Sequence, residues 1–253
     1  MRYLALYNTG TKNVNSFENY DEAAVLSDGR LSYNHNVRRY LVESKKRGTP
    51  WTYWDKTSPF NLSGYTQPYL ANSILLVGDS RVYMWRTTET DHFASYTTVD
   101  NRGVSGDSAH NQAVVMPTWG LNMYEKAVIS IGINDGMYGW QDTVWSIANL
   151  VSYIKTRTKK VFLTNIPTIN QNWFSNTGAT QEGYNIIMNN ALATNTLIQT
   201  ICQNVGAEYI DIHGALCDPG TQTLKTMYDD GSGIHYNEAG YTLIRSIYAT
   251  HGI

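Results

Sequence analysis

The chain has 253 residues, enough for one large α/β domain or for a domain with a small appendage. Hydrophobic residues make up 42% and charged residues only 16%, which allows a sizeable core and argues against global disorder. A formal net charge of −2 offers no electrostatic footprint for nucleic acid or for an anionic membrane surface.

Aromatic residues reach 12%, mostly Tyr (19) and Trp (7). Such side chains suit an open polar cleft and sugar stacking, and they equally suit the edge of a core. No apolar run approaches the roughly 20 residues needed to span a bilayer. Met1–Asn13 carries one Arg and a short apolar patch but no continuous apolar stretch of the signal-peptide kind. Low charge with abundant Asn, Thr and Tyr is common in exported proteins, so an extracellular or cell-surface placement is the expectation, with the cytoplasm as the alternative. Cys202 and Cys217 are either a pair in an oxidising compartment or two buried thiols. No Cys or His cluster has zinc spacing.

In chain order, residues 1–72 read as an N-terminal extension. It has a basic run (Arg38, Arg39, Lys45, Lys46, Arg47), an aromatic cluster (Trp51, Tyr53, Trp54), and one helix expected around Val37–Lys46. From Ser73 the rhythm changes. Ile74–Val77 is a short, wholly apolar run ending in Gly78, the mark of a strand buried on both faces of a parallel sheet. Similar runs follow at Ala127–Ile131, Val161–Thr164 and Tyr209–Ile212. Between and after them Thr143–Lys155, Gln181–Asn204 and Asn237–Ala249 place apolar residues at helical spacing. This alternation predicts a three-layer α/β/α sandwich with a mostly parallel, doubly wound sheet over 73–253. In such folds the active site lies beyond the carboxyl ends of the strands.

Four segments stand at those places. Gly78-Asp79-Ser80 ends the first run; the serine is a candidate nucleophile or simply a helix cap. Asn101 to Gly106 has no strand or helix pattern, and its glycines let backbone N–H groups approach a ligand. Gly132-Ile133-Asn134-Asp135-Gly136 puts an amide donor after a strand, or is a plain turn. Gly231-Ser232-Gly233-Ile234-His235-Tyr236-Asn237 carries a loop histidine just before the last helix.

Together and in this order, the four segments resemble the four sequence blocks of the SGNH (GDSL-like) hydrolase superfamily, most closely a bacterial branch. The resemblance covers about 73–253. It implies Ser80 as nucleophile and His235 as general base. It also implies an oxyanion hole from the backbone N–H of Ser80 and of Gly106 and the side chain of Asn134, with Asp79, Asn101 and Asp135 in support. An acyl-serine forms and water releases the acid, so no metal or organic cofactor is required.

The family normally has an aspartate three residues before the histidine, and here that position is Ser232. Asp230 is the expected substitute, with Asp229 or Ser232 as alternatives; a neutral partner supports the imidazolium less and predicts a slower enzyme. The main functional expectation is a serine esterase removing small acyl groups, above all acetyl, from carbohydrate, with a small-molecule or glycan ester as its partner and neither nucleic acid nor a membrane span. An O-acyltransferase with the same Ser–His site and an inactive domain that binds glycan or protein are the alternatives.

Overall fold

The computed structural model describes residues 68–87 and 92–253, together with two short strands, Ala24–Val25 and Leu31–Ser32. The expected helix at 37–46, the basic run and the Trp51–Trp54 aromatics lie outside the described residues. The chain forms two compact units, one of 1–68 with 113–122 and the other of 69–112 with 123–253. In the first, Ala24–Val25 pairs antiparallel with Leu31–Ser32, and Met116–Thr118 makes a 3-10 turn.

The second unit is built on five parallel strands: β1 (Leu70–Gly78), β2 (Thr98–Gly103), β3 (Tyr124–Ser130), β4 (Thr158–Thr164) and β5 (Glu208–Ile210). Their order across the sheet is β2-β1-β3-β4-β5. The chain goes from β1 to one side, returns past it to β3, and continues outward. The winding therefore reverses at β1, and the crevice outside its carboxyl end is where a doubly wound sheet binds ligand.

The helices are α1 (Ser80–Tyr83), α2 (Ala109–Val115), α3 (Ile133–Tyr138), α4 (Thr143–Lys155), α5 (Gln171–Thr177), α6 (Gln181–Val205), α7 (His213–Leu216) and α8 (Glu238–Thr250). The sheet alternates its side chains between two faces. Ile74, Leu76, Val128, Phe162 and Ile210 join Tyr241, Ile244 and Tyr248 of α8 in one buried cluster, with Trp85 and Phe93. The intervening residues Leu75, Val77, Ala127, Ile129, Val161 and Leu163 are as deeply buried. Helices α4 and α6 pack on β4 and on each other, covering that second face with Ile147, Leu150, Val151, Ile154 and Ile198. The three-layer parallel α/β architecture expected from the apolar runs is the one observed.

Asn101–Gly103, expected in an irregular loop, instead closes the edge strand β2. An edge strand is held by one ladder and needs no continuous apolar run. Asp100, Asn101 and Arg102 can therefore occupy it half-buried, and periodicity could not reveal it. Cys202, in α6, and Cys217, after α7, are separate buried thiols.

Candidate active site

The position of Ser80 is set by a strand ending in a glycine and a helix that starts at once. A Cβ on Gly78 would overlap the Ser130 carbonyl and the Val82 side chain, so only glycine lets β1, β3 and α1 meet this closely. Asp79 caps α1, its carboxylate accepting the Arg81 N–H at 2.9 Å. Asn101 braces the same turn from the edge strand, donating to the Val82 carbonyl at 2.9 Å and accepting the Gly103 N–H at 2.9 Å. Ser80 thus opens a helix at the carboxyl end of β1, 5% exposed, with its N–H among those that have no partner inside the helix.

His235 reaches it from the loop between α7 and α8. Its Nε2 lies 2.9 Å from Ser80 Oγ. On the other side of the ring, Nδ1 is 3.3 Å from Ser232 Oγ. The Ser232 oxygen also accepts the backbone N–H of His235 at 3.0 Å and of Ile234 at 3.3 Å. Asp230 bonds elsewhere, its carboxylate accepting the Ser232 N–H at 2.8 Å. Asp229, 7% exposed, accepts from the Gly233 N–H at 2.8 Å and from the side-chain amides of Asn172 at 2.7 Å and Asn170 at 3.2 Å. Of the three groups considered for orienting the ring, the structure brings Ser232 to Nδ1; the two aspartates shape the loop that carries it.

The loop of Gly106 and the helix of Asn134 are bonded to each other. Asn134, the second residue of α3 and 4% exposed, donates one amide N–H to the Asp107 carbonyl at 2.7 Å. Its second N–H is not needed for that bond. Gly106 follows the edge strand in a left-handed turn (φ 75°), and its carbonyl accepts the Tyr138 hydroxyl at 2.7 Å. Asp135 is fully buried and accepts the N–H groups of Ala109 at 2.8 Å and His110 at 3.2 Å, fixing the start of α2 beside the Gly106 loop.

The electrostatics separate these groups. Burial pushes the carboxyls of Asp79 and Asp135 up to about 6, the Arg81 charge opposing this at Asp79 and the two backbone N–H bonds opposing it at Asp135. Burial, and then the Arg81 charge, hold His235 below the ordinary imidazole range, against the pull of Asp230 and Asp229. The ring beside Ser80 is therefore neutral at neutral pH and able to accept a proton. Among the described residues no cluster of three His, Cys, Asp or Glu side chains is arranged to hold a metal ion. No helix among them is long and apolar enough to cross a membrane.

Ser80 and His235 thus meet at the switch point of a parallel sheet, and the buried Asn134 amide is bonded to the loop that follows the left-handed Gly106. The model of the GDSL-like lipase/acylhydrolase family matches residues 72–243. The chain belongs to that family. No curated protein matches the sequence. Solved structures share the fold. One from Bacteroides fragilis, described as an acylhydrolase, superposes with a TM-score of 0.60 at 18% identity, covering 78% of this chain and 96% of that one. A GDSL-like lipase from Bacteroides thetaiotaomicron gives 0.57 at 17%, covering 75% and 92%. An acetylxylan esterase from Geobacillus stearothermophilus gives 0.53 at 14%, covering 73% and 95%.

The four sequence segments assign no role to three residues that hold this region together. Arg81 is buried against the histidine loop. Asn170 caps α5 and donates its backbone N–H to the Gly233 carbonyl at 2.9 Å. Asn172 holds Asp229. Of the three only Arg81 adjoins one of those segments, as a charged residue directly after Ser80 in a turn that follows an apolar strand.

Proposed function

We propose that this family member is a serine esterase for small acyl groups, acetyl above all, carried on carbohydrate. The 2.9 Å contact between Ser80 Oγ and His235 Nε2 carries the reading. For the imidazole to act as base its Nε2 must be unprotonated, so Nδ1 bears the proton and donates toward Ser232 Oγ. Ser80 then attacks the ester carbonyl and its proton passes to Nε2. The oxyanion is met by the N–H groups of Ser80 and Gly106 and by the free amide N–H of Asn134. Imidazolium returns the proton to the leaving alkoxide. Water, deprotonated by the same nitrogen, then releases the acid from the acyl-serine.

Two observations support a sugar as the alcohol part. Tyr138 is 56% exposed while its hydroxyl is tied to the Gly106 carbonyl, which leaves an aromatic face at the rim of the proposed oxyanion hole. The fold is also that of an esterase acting on acetylated xylan. Hydrolysis of a p-nitrophenyl acyl series from acetyl to dodecanoyl tests the proposal. The acetyl ester is expected to be preferred, and Ser80→Ala to fall at least about 10³-fold. Activity confined to long chains would sink the carbohydrate reading.

One observation favours a second reading. With only a hydroxyl at Nδ1, the imidazolium lacks a charged partner, which suits a weak or inactive domain that binds glycan. Glycan binding unchanged in Ser80→Ala, with no ester hydrolysis in either form, would favour it.

A further inference from the structure

We propose that Arg81 is a positioning residue that locks the peptide in front of His235 onto the helix that carries Ser80. The inference rests on the reading of Ser80 and His235 as nucleophile and base.

Arg81 is 3% exposed. Its Nε donates to the Ile234 carbonyl at 2.8 Å, and its two Nη atoms donate to the carbonyls of Pro167 at 2.6 Å and Thr168 at 3.1 Å. The guanidinium lies over the Tyr236 ring, 5.0 Å from its centroid. The residue's own backbone is fixed as well: its N–H is held by Asp79 and its carbonyl accepts the Tyr241 hydroxyl at 2.9 Å. A buried charge is costly, and this one is stabilised by carbonyl dipoles drawn from two separate loops.

The consequence lies in which peptide is gripped. The Ile234 carbonyl and the His235 N–H belong to the same planar unit. Arg81 holds one side of it, and Ser232 Oγ holds the other at 3.0 Å. A histidine whose Nδ1 meets a carboxylate is aimed by that bond. Here Nδ1 meets a hydroxyl at 3.3 Å, so aim has to come from the backbone. Because Arg81 directly follows Ser80, the clamp ties the base's peptide to the nucleophile's own turn. Planarity matters: a lysine ammonium is a point charge and cannot span three fixed carbonyls as the guanidinium fork does.

The charge acts too. His235 faces Arg81 from α1 and Asp229 and Asp230 from its own loop, and the Arg81 charge lowers its proton affinity. Removing the charge therefore raises the imidazole pKa and moves the acid limb of the rate profile to higher pH. Replacing it by lysine keeps the charge and the limb but loses the clamp.

The test compares the wild type with Arg81→Met and Arg81→Lys. Acetyl-ester kinetics are normalised to sites labelled by a fluorophosphonate, and the His235 ring is titrated by NMR, assigned with His235→Gln. For Arg81→Met we expect kcat per labelled site to fall about 100-fold with KM within about twofold, and the His235 midpoint to rise. For Arg81→Lys we expect about a tenfold loss of kcat and an unchanged midpoint. A raised KM with kcat intact would make Arg81 a substrate contact and overturn the proposal. So would loss of labelled sites alone, with kcat per site and midpoint both at wild-type values. If Arg81→Met does not fold, wild-type kcat per site in Arg81→Lys overturns it. If the wild type neither hydrolyses esters nor is labelled, the esterase reading fails, and the His235 midpoint still decides whether Arg81 acts on the ring.

Discussion

Ser80 and His235 meet at 2.9 Å but are placed by different kinds of structure. The serine stands where β1 becomes α1, fixed by strand pairing on both sides, by a glycine that no other residue could replace, and by the Asp79 cap. The histidine sits between α7 and α8 in residues 229–237, where two glycines, Gly231 (φ 101°) and Gly233 (φ 81°), adopt left-handed backbone. That loop has one isolated bridge, between Asp229 and Tyr236, with a few backbone bonds and its own Asp229, Asp230 and Ser232 side chains, and it is pinned from elsewhere by the side chains of Asn170, Asn172, Asn176 and Arg81. Backbone ladders tolerate side-chain changes; side-chain pins do not. Substitutions around His235 should therefore act on the chemistry more sharply than equally polar substitutions around β1.

The largest such effect is expected at Asp229. Its carboxylate takes three donors, and truncation to alanine leaves the Gly233 N–H and two side-chain amides without their acceptor. Asp229→Ala should cost about 2–4 kcal/mol of stability and about 100-fold in kcat, as the loop drifts by an ångström or so. Urea unfolding and acetyl-ester kinetics would measure both. A variant with wild-type kcat would show that the loop's own conformation suffices and break the contrast between the two regions.

The same contrast explains what could be read in advance. Ile74–Val77, Ala127–Ile131 and Val161–Thr164 are legible as strands because burial on two faces demands continuous apolar runs, and Thr143–Lys155 is legible because a helix with one buried face repeats every 3.6 residues. Thr98–Gly103 is not, since an edge strand with half-buried side chains needs no such pattern. Around the site, Ser80, Gly106, Asn134 and His235 stand in ordered segments that mark them. The partners of the histidine loop are hidden because they lie far off in sequence: Asn170 and Asn172 meet Asp229 across 59 and 57 positions, and Arg81 meets Ile234 across 153. No periodicity reports a contact between loops. The aspartate expected to reach Nδ1 points instead at a backbone N–H, a choice of rotamer and turn that composition does not encode.

A gain of function would sharpen the comparison from the other side. Ser232 Oγ already faces Nδ1 and the N–H groups of Ile234 and His235. In Ser232→Asp a carboxylate can accept the same donors and add a charge beside the imidazolium. We expect kcat to rise about tenfold. The acid limb should also move to higher pH, because a negative neighbour favours the protonated ring. Loss of activity instead would mean that Asp229 and Asp230 already saturate the loop with negative charge.

On the rigid side, pH should act through stability. The folded-state carboxyls of Asp79 and Asp135 sit at about 6, above the roughly 3.9 of an exposed aspartate. The folded protein thus holds these protons more tightly than the unfolded chain. Their contribution is full below about pH 4 and is lost as pH rises through 6, up to about 3 kcal/mol for each. Asp135→Asn cannot titrate and can still accept the Ala109 N–H. Its melting temperature should therefore fall less than the wild type's between those pH values. Parallel curves for the two proteins would assign the slope to other groups.

The smallest effect is expected at Asp230, and its smallness is informative. Its carboxylate has one structural partner, the Ser232 N–H at 2.8 Å, in an exposed part of the loop, while its backbone N–H bonds the His235 carbonyl whatever the side chain. Truncation to alanine removes one solvent-accessible acceptor, worth no more than about 1 kcal/mol. It also removes a distant negative charge that favours imidazolium. Asp230→Ala should therefore keep kcat within about threefold and move the acid limb slightly to lower pH. A loss as large as that of Asp229→Ala would mean that Asp230 swings onto Nδ1 during turnover. The histidine would then be served by a carboxylate after all, and the Ser232 contact would describe only the resting enzyme.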